Sequence, residues 1–232
     1  LTDKDIVVST RVRLARNIAG LPFPKDMSRQ NMMMLCDRVE KRVGGNGDFV
    51  RINMDDLDKV ERTVLVERHL ASRELIERPA GVLLLSKDDK ISIMLGEEDH
   101  VRLQCVLPGL QLGEADSLSC AVDAIISALG YAYDPQLGYL TSCPTNVGTG
   151  MRASVMMHLP GLVLTGSMAS LLDTVGKFGF TLRGYYGEGT NADGDMYQIS
   201  NQVTLGVSEE EILASLSQVV CSIIEKEREV RE

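Results

Sequence analysis

From Gly138 to Ser154 the chain reads Gly-Tyr-Leu-Thr-Ser-Cys-Pro-Thr-Asn-Val-Gly-Thr-Gly-Met-Arg-Ala-Ser. This sets one thiol, Cys143, in a turn rich in Pro, Thr, Asn and Gly, with one guanidinium, Arg152, following it. A turn of that composition directs backbone N–H groups and hydroxyls toward a ligand, and hydrogen bonds or nearby cations there lower a thiol's pKa. Four more arginines stand in polar surroundings. Arg11 and Arg13 lie in Ser9-Thr10-Arg11-Val12-Arg13, Arg102 follows Glu97-Glu98-Asp99-His100-Val101, and Arg183 precedes Gly184-Tyr185-Tyr186-Gly187-Glu188. In an extended segment Arg11 and Arg13 share a face, because side chains alternate. Guanidinium groups are planar forks suited to phosphate oxygens, and several converging ones would hold a polyphosphate. Glu97-Glu98 and Glu188 are carboxylates that could orient a cation or take its proton. Each feature alone also fits a plain role, as a surface ion pair, a solvated turn or an inert loop cysteine. Together they suggest a site that handles an anion and a cation side by side.

The elements that must position these groups follow from periodicity and punctuation. Residues 25–42 read as a helix broken by Gly44-Gly45-Asn46-Gly47. Phe49 to Asn53 alternates as a strand, and residues 55–70 read as a helix with Asp near its start. Residues 81–86 and 90–95 predict two strands joined by Lys87-Asp88-Asp89, and residues 100–106 a third. Helices are expected over 111–129, ended by Gly130, and over 161–178, started near Pro160. Strands are expected over 180–183 and 196–205. Ser208 with Glu211 makes a capping-box pattern that opens the last helix. Neither a parallel βαβ rhythm nor a glycine-rich dinucleotide or Walker loop is visible. The fold class expected is α+β, a mainly antiparallel sheet flanked by helices, in one domain covering 1–232.

Composition narrows the function. The chain has 232 residues, 44% hydrophobic and 25% charged, the balance of an ordinary globular protein. It has no Trp and only 4% aromatics, so Leu, Ile, Val and its 11 Met must fill the core. The run Met32-Met33-Met34 reads as gap-filling on a helix. A net charge of −9 argues against nucleic acid as a general partner, without excluding a local basic pocket. Five dispersed cysteines (Cys36, Cys105, Cys120, Cys143, Cys221) and three histidines (His69, His100, His158) lack disulfide-framework or metal-ligand spacing. No metal site held by the protein, no membrane association and a reducing cytoplasm are the corresponding expectations.

Several segments are more specific as a set than singly. Ser-Thr-Arg-Val-Arg at 9–13, Glu-Glu-Asp-His-Val-Arg at 97–102, and Cys-Pro-Thr-Asn-Val-Gly-Thr-Gly-Met-Arg-Ala-Ser at 143–154 are three of them. Arg-Gly-x-x-Gly-Glu at 183–188 and Ile-Ser-Asn at 199–201 complete it. In this order the set resembles the catalytic domain of the phosphagen (guanidino) kinases across nearly the whole chain. The stretches at 138–150, 186–189 and 197–206 are most similar to the bacterial protein arginine kinase branch.

The resemblance implies the guanidino kinase and glutamine synthetase type of catalytic fold. It also implies ATP-dependent transfer of the γ-phosphoryl group to a guanidinium nitrogen, with Mg²⁺ accompanying ATP. It assigns the nucleotide to Ser9, Thr10, Arg11, Val12 and Arg13, to His69 near the base, and to Arg102. It further assigns to it Arg152, Ala153, Ser154, Val155 and Met156, then Arg183, Gly184, Tyr185, Tyr186, Gly187 and Glu188. Glu98 becomes the catalytic carboxylate, Glu188 its partner, and Cys143 the thiol beside the substrate guanidinium. The implied partners are proteins bearing exposed arginines, an activator protein, a protein-degradation chaperone and a second copy in the full-length protein. The setting would be bacterial protein quality control and stress response.

Two positions depart from the family pattern. Gly96 stands where Asn is usual before the acidic pair, and Met156 where many small-substrate kinases carry a nucleotide-contacting histidine. The second departure suits the protein-acting branch. With eight residues ahead of Ser9, an open site admitting an arginine on a protein is expected, as is a regulatory region beyond Glu232. The rival readings are a kinase for a free guanidino compound such as arginine, and a catalytically silent nucleotide-binding module.

Overall fold

The structure, a computed structural model, describes residues 3–44, 47–184 and 193–232. Its elements in chain order begin with β1 (Val7–Arg16), α1 (Arg29–Val43), β2 (Phe49–Asn53), α2 (Lys59–Glu67) and α3 (Arg73–Glu77). Next come β3 (Val82–Ser86), β4 (Ile91–Leu95), β5 (Val101–Pro108), α4 (Leu112–Ser127), β6 (Tyr133–Asp134) and β7 (Gly138–Tyr139). The chain continues through β8 (Met151–His158), α5 (Pro160–Leu164), α6 (Met168–Lys177), β9 (Phe180–Gly184), β10 (Met196–Asn201) and α7 (Glu209–Arg231).

Eight strands hydrogen-bond in the order β2-β3-β4-β5-β1-β8-β10-β9, and β6 pairs with β7. The pairs β2–β3, β3–β4, β4–β5, β8–β10 and β10–β9 are antiparallel. The α+β reading with a mainly antiparallel sheet therefore holds. β3 is buried at every residue, and β4 at all but its first. Such continuous apolar runs between turn signals are what made both strands legible.

The chain divides into two compact units. One comprises Leu1–Val12, Val106–Asp116 and Arg152–Glu232, the other Arg13–Cys105 and Ser117–Met151. In the first, the stripe Ile212, Leu216, Val220, Ile223 and Ile224 on α7 is buried, and α7 packs on α5 and β10 while α6 packs on β9. Near the end of α7, Glu227 is fully buried. It accepts hydrogen bonds from Gly161 N (2.8 Å) and Leu162 N (2.9 Å), which open α5. In the second unit, Met54, Leu65, Leu70, Leu75, Leu83, Leu85 and Met94 form one core cluster. There α1 buries Met32, Leu35, Cys36, Val39 and Val43 along one stripe.

Several boundaries differ from the sequence reading, each for a local reason. The first helix starts at Arg29, because Pro24–Asp26 forms a separate 3-10 turn and the Ser28 hydroxyl caps α1 by accepting from Asn31 N. The helix expected over 55–70 is shorter. Asp58 and Glu61 cap α2 reciprocally, and His69, at φ 58°, turns the chain away after it. The helix expected over 161–178 is two helices, with Gly166 at φ 68° between them. The strand expected to reach 205 stops at Asn201. There the Asn201 side chain receives Ala153 N (2.9 Å) and donates to Val203 O (3.0 Å). Strand β8 and helix α3 were not anticipated. The capping box at Ser208 and Glu211 is present with both of its hydrogen bonds. Among the described residues, no helix is long and apolar enough to cross a membrane.

Candidate active site

The acidic pair sits where β4 turns into β5. Gly96 makes the turn at φ 78°, and its N–H donates to His100 O (3.1 Å). A Cβ on Gly96 would stand 2.8 Å from Met32 Sδ, so this residue of the methionine run fills the space left by the missing side chain. Past the turn, Glu97 is fully buried and Arg102 Nη1 donates to its Oε1. Arg102 Nη2 stands 3.8 Å from Glu98 Oε2. Glu98 keeps part of its surface in solvent. Burial first, then the neighbouring Asp99 carboxylate, hold its proton affinity above the ordinary Glu value, with Arg102 opposing. This is the direction expected of a carboxylate that must take up a proton during turnover.

The Cys143 turn is fastened to that corner within the same unit. Cys143 precedes the 3-10 turn Pro144–Asn146, and its half-buried thiol lies 3.0 Å from Thr145 Oγ1. The Thr141 hydroxyl donates to Cys143 O (2.8 Å), and the Ser142 hydroxyl donates to Glu98 O (2.7 Å). Ser142 N donates to Asp99 Oδ1 (2.7 Å). These hydroxyls therefore shape the loop and tie it to the Glu98 corner. The expectation that the turn directs its hydroxyls toward a ligand does not extend to Thr141 and Ser142, whose hydroxyls donate within the protein. Beneath the loop, the buried Arg16 guanidinium lies 3.6 Å over the Tyr139 ring, pairs with Asp123 (3.1 Å), and donates to Thr149 O (2.8 Å). Gly150 comes so close to β1 that a Cβ there would meet Ala15 O at 2.6 Å. Arg13 is half-buried on β1, and His69, whose carbonyl accepts from Gln104 Nε2 (2.6 Å), follows α2.

The first unit carries the other arginines. The β8–β10–β9 register sets Met156, Gln198 and Arg183 in one row, and Ser154, Ser200 and Thr181 in the next row on the same face. Arg11 Nε donates to Ser154 Oγ (3.4 Å), and Arg152 Nη2 donates to Ser200 Oγ (3.0 Å). Arg11, Arg152 and Arg183 all keep solvent-accessible surface. The result is a sheet face of guanidinium and hydroxyl groups suited to phosphate oxygens.

Not every expected ligand residue can use its side chain there. Val12, Ala153 and Val155 are fully buried, pointing into the core from the opposite face, and the buried Thr10 hydroxyl donates to Gly109 O (2.7 Å). A nucleotide could meet these four through backbone atoms only. Ser9 is half-buried on the face of Arg11, and Gly184 ends β9. Glu188, Tyr185, Tyr186 and Gly187 lie outside the described residues. Sequence reasoning missed Asn17, Arg16, Asp99, Ser142 and Ser200 as parts of these clusters. The motif segments at 97–102, 138–150 and 199–201 carried Asp99, Ser142 and Ser200 without marking a role for them, and no segment pointed to Arg16 or Asn17.

The fold and these clusters define a class. Residues 31–230 match the family model described as ATP:guanido phosphotransferase, C-terminal catalytic domain. The chain belongs to this family of phosphotransferases. Curated relatives carry the name protein-arginine kinase. That of Geobacillus kaustophilus is 49% identical, with 99% of this chain and 65% of the relative covered. That of Caldanaerobacter subterraneus is 47% identical, with coverages of 99% and 70%. The chain thus spans about two thirds of the length of these relatives. Among solved structures, lombricine kinase superposes with a TM-score of 0.85 at 26% identity, covering 98% of this chain and 68% of that one. The substrate-free duplicated taurocyamine kinase from Schistosoma mansoni gives 0.84 at 26% identity, covering 98% and 34%.

Proposed function

We propose that this chain catalyses phosphoryl transfer from ATP to arginine side chains of proteins. The observation that carries the reading is the fastening of the Glu98 corner to the Cys143 turn, which sets a carboxylate and a thiol on one rigid frame. Such a pair suits a guanidinium, which is cationic, planar and a weak nucleophile until it gives up a proton. The near half-identity to chains named protein-arginine kinase favours a protein acceptor over a free guanidino compound.

In this reading a substrate guanidinium nitrogen forms a bond to the γ-phosphorus. The bond from that phosphorus to the β,γ-bridging oxygen breaks, and ADP leaves with the electron pair. Glu98 orients the guanidinium and receives the proton it loses. Cys143 lies beside the same cation and favours its alignment. Arg11, Arg152 and Arg183 bind phosphate oxygens, and Arg13 and Arg102 are further guanidinium candidates for binding phosphate. Positioning and charge stabilisation supply most of the rate in such transfers.

Among the described residues, no group of three His, Cys, Asp or Glu could hold a metal ion. The donor set is arginines and hydroxyls, which fits a nucleotide that brings Mg²⁺ on its own phosphates. When bound, Mg²⁺ would neutralise charge on the β- and γ-oxygens. The partners proposed are proteins with exposed arginines.

The test is incubation with Mg·ATP and an unfolded protein, or with free arginine, followed by mass spectrometry under conditions that spare the acid-labile N–P bond. Phosphoarginine in the protein is expected. Turnover of free arginine with no labelled protein would select a small-molecule kinase. Nucleotide binding with neither product would select a silent module.

A further inference from the structure

We infer that Asn17 is a positioning residue, which fixes the Cys143 turn against the Glu98 corner; its role in turnover rests on the proposed guanidino-kinase reading. Asn17 is 2% exposed at the end of β1. Its side-chain amide is used on both sides. Nδ2 donates to Asp99 Oδ1 (2.6 Å) and to Leu140 O (3.0 Å), and Oδ1 accepts from His100 N (2.9 Å). Its backbone carbonyl accepts from Ala132 N (2.8 Å). One side chain therefore brackets three segments: the end of β1, the corner at 98–100 and the strand that leads into Cys143.

The bracket continues through Asp99. The same Oδ1 that takes Asn17 Nδ2 also takes Ser142 N (2.7 Å), while Ser142 Oγ returns to Glu98 O (2.7 Å). Asp99 Oδ2 is buried and has no hydrogen-bond partner among the described residues. The carboxylate's orientation therefore rests on the two donors at Oδ1. A buried polar network of this kind is stiff while complete and fails when one donor is lost. Serine at position 17 cannot span the contacts to Asp99 and Leu140. Aspartate there would keep the shape and the acceptor for His100 N, but would set an oxygen against Asp99 Oδ1 and Leu140 O. A misplacement of about 1 Å between reacting groups costs about 100-fold in rate.

The test compares the wild-type chain with Asn17→Ser and Asn17→Asp. Iodoacetamide alkylation is followed at each cysteine by peptide mass spectrometry, alongside phosphoarginine formation. Cys36 is the internal control. It is fully buried on α1, and burial pushes its thiol up to about 12, so it reports general opening of the fold. The expected result is Cys143 alkylation about threefold faster or more with Cys36 unchanged, as local loosening requires. In the same variants kcat should fall about tenfold or more, with KM for ATP within about twofold of wild type. Cys143 rates that stay at the wild-type value, or rise only in step with Cys36, overturn the inference. If Asn17→Ser does not fold, Asn17→Asp decides. A wild-type chain that forms no phosphoarginine would sink the functional reading, and the alkylation arm would still decide the bracket.

Discussion

Arg102 joins its Nη1 to the buried Glu97 carboxylate and holds its Nη2 3.8 Å from Glu98. One guanidinium thus faces two adjacent carboxylates, paired with the buried one and free to bias the more exposed one. This division makes Glu97 a support for Arg102 and leaves Glu98 as the group that can meet a substrate.

Glu98→Gln should lower turnover by about 100-fold or more while leaving ATP affinity near wild type, as expected when a proton acceptor is lost. The pH profile carries a second signature. Burial and Asp99 hold the Glu98 proton affinity above that of an ordinary Glu. The base must be ionised to act, so activity falls as pH drops through this raised value. The acid limb of kcat/KM should therefore lie above the usual Glu pKa of about 4.3. It should disappear in the residual activity of the Gln variant.

Cys143→Ser tests the thiol's contribution. The serine hydroxyl can retain the contact now made at 3.0 Å to Thr145, so the turn should persist. Turnover should fall by about tenfold or more with KM for ATP changed by less than about twofold. Loss of ATP affinity with kcat intact would contradict the assignment.

Arg16→Met tests the floor of the same loop. Arg16 is 1% exposed, and it is ion-paired with Asp123 beneath the Tyr139 ring. Removing the guanidinium leaves the Asp123 carboxylate without that cation, at a cost of about 3–5 kcal/mol. Urea unfolding should show this loss. Arg16→Lys should recover only part of it, since an ammonium lacks the planar fork and the stacking face. Equal stability of Arg16→Met and wild type would refute the account.

His100 makes stability depend on pH. Ile18 N donates to its Nδ1 (2.9 Å) and its Nε2 meets Pro22 O (2.8 Å), so the buried ring is neutral with its proton on Nε2. Burial holds its pKa below the ordinary His value. The unfolded chain binds a proton near pH about 6.5 that the folded chain refuses. The contribution is therefore complete above that pH and is lost as pH falls through the depressed folded-state value. Thermal midpoints from about pH 7.5 down to about pH 5.5 should fall more steeply for wild type than for His100→Gln. Equal slopes would exclude His100 as the cause.

The sequence by itself determined the strand at 49–53, those read at 81–86 and 90–95 to within one residue, the cap of the last helix, and the candidates Glu98, Cys143 and the five arginines. Those signals are local: an apolar run between turn residues, a Ser three positions before a Glu, or a residue type in a short motif. Strand β8 was missed, because Met, Arg, Ala and Ser within it give little β signal on their own. The tertiary structure alone decided which face each side chain takes. It turned Val12, Ala153 and Val155 into the core and left Arg11 and Arg152 on the sheet face with Ser154 and Ser200. It alone also revealed the Asn17 bracket, whose hydrogen bonds join residues 82 and 123 positions apart. No local pattern encodes such a contact, because its energy exists only once the surrounding core has excluded water and set donor against acceptor.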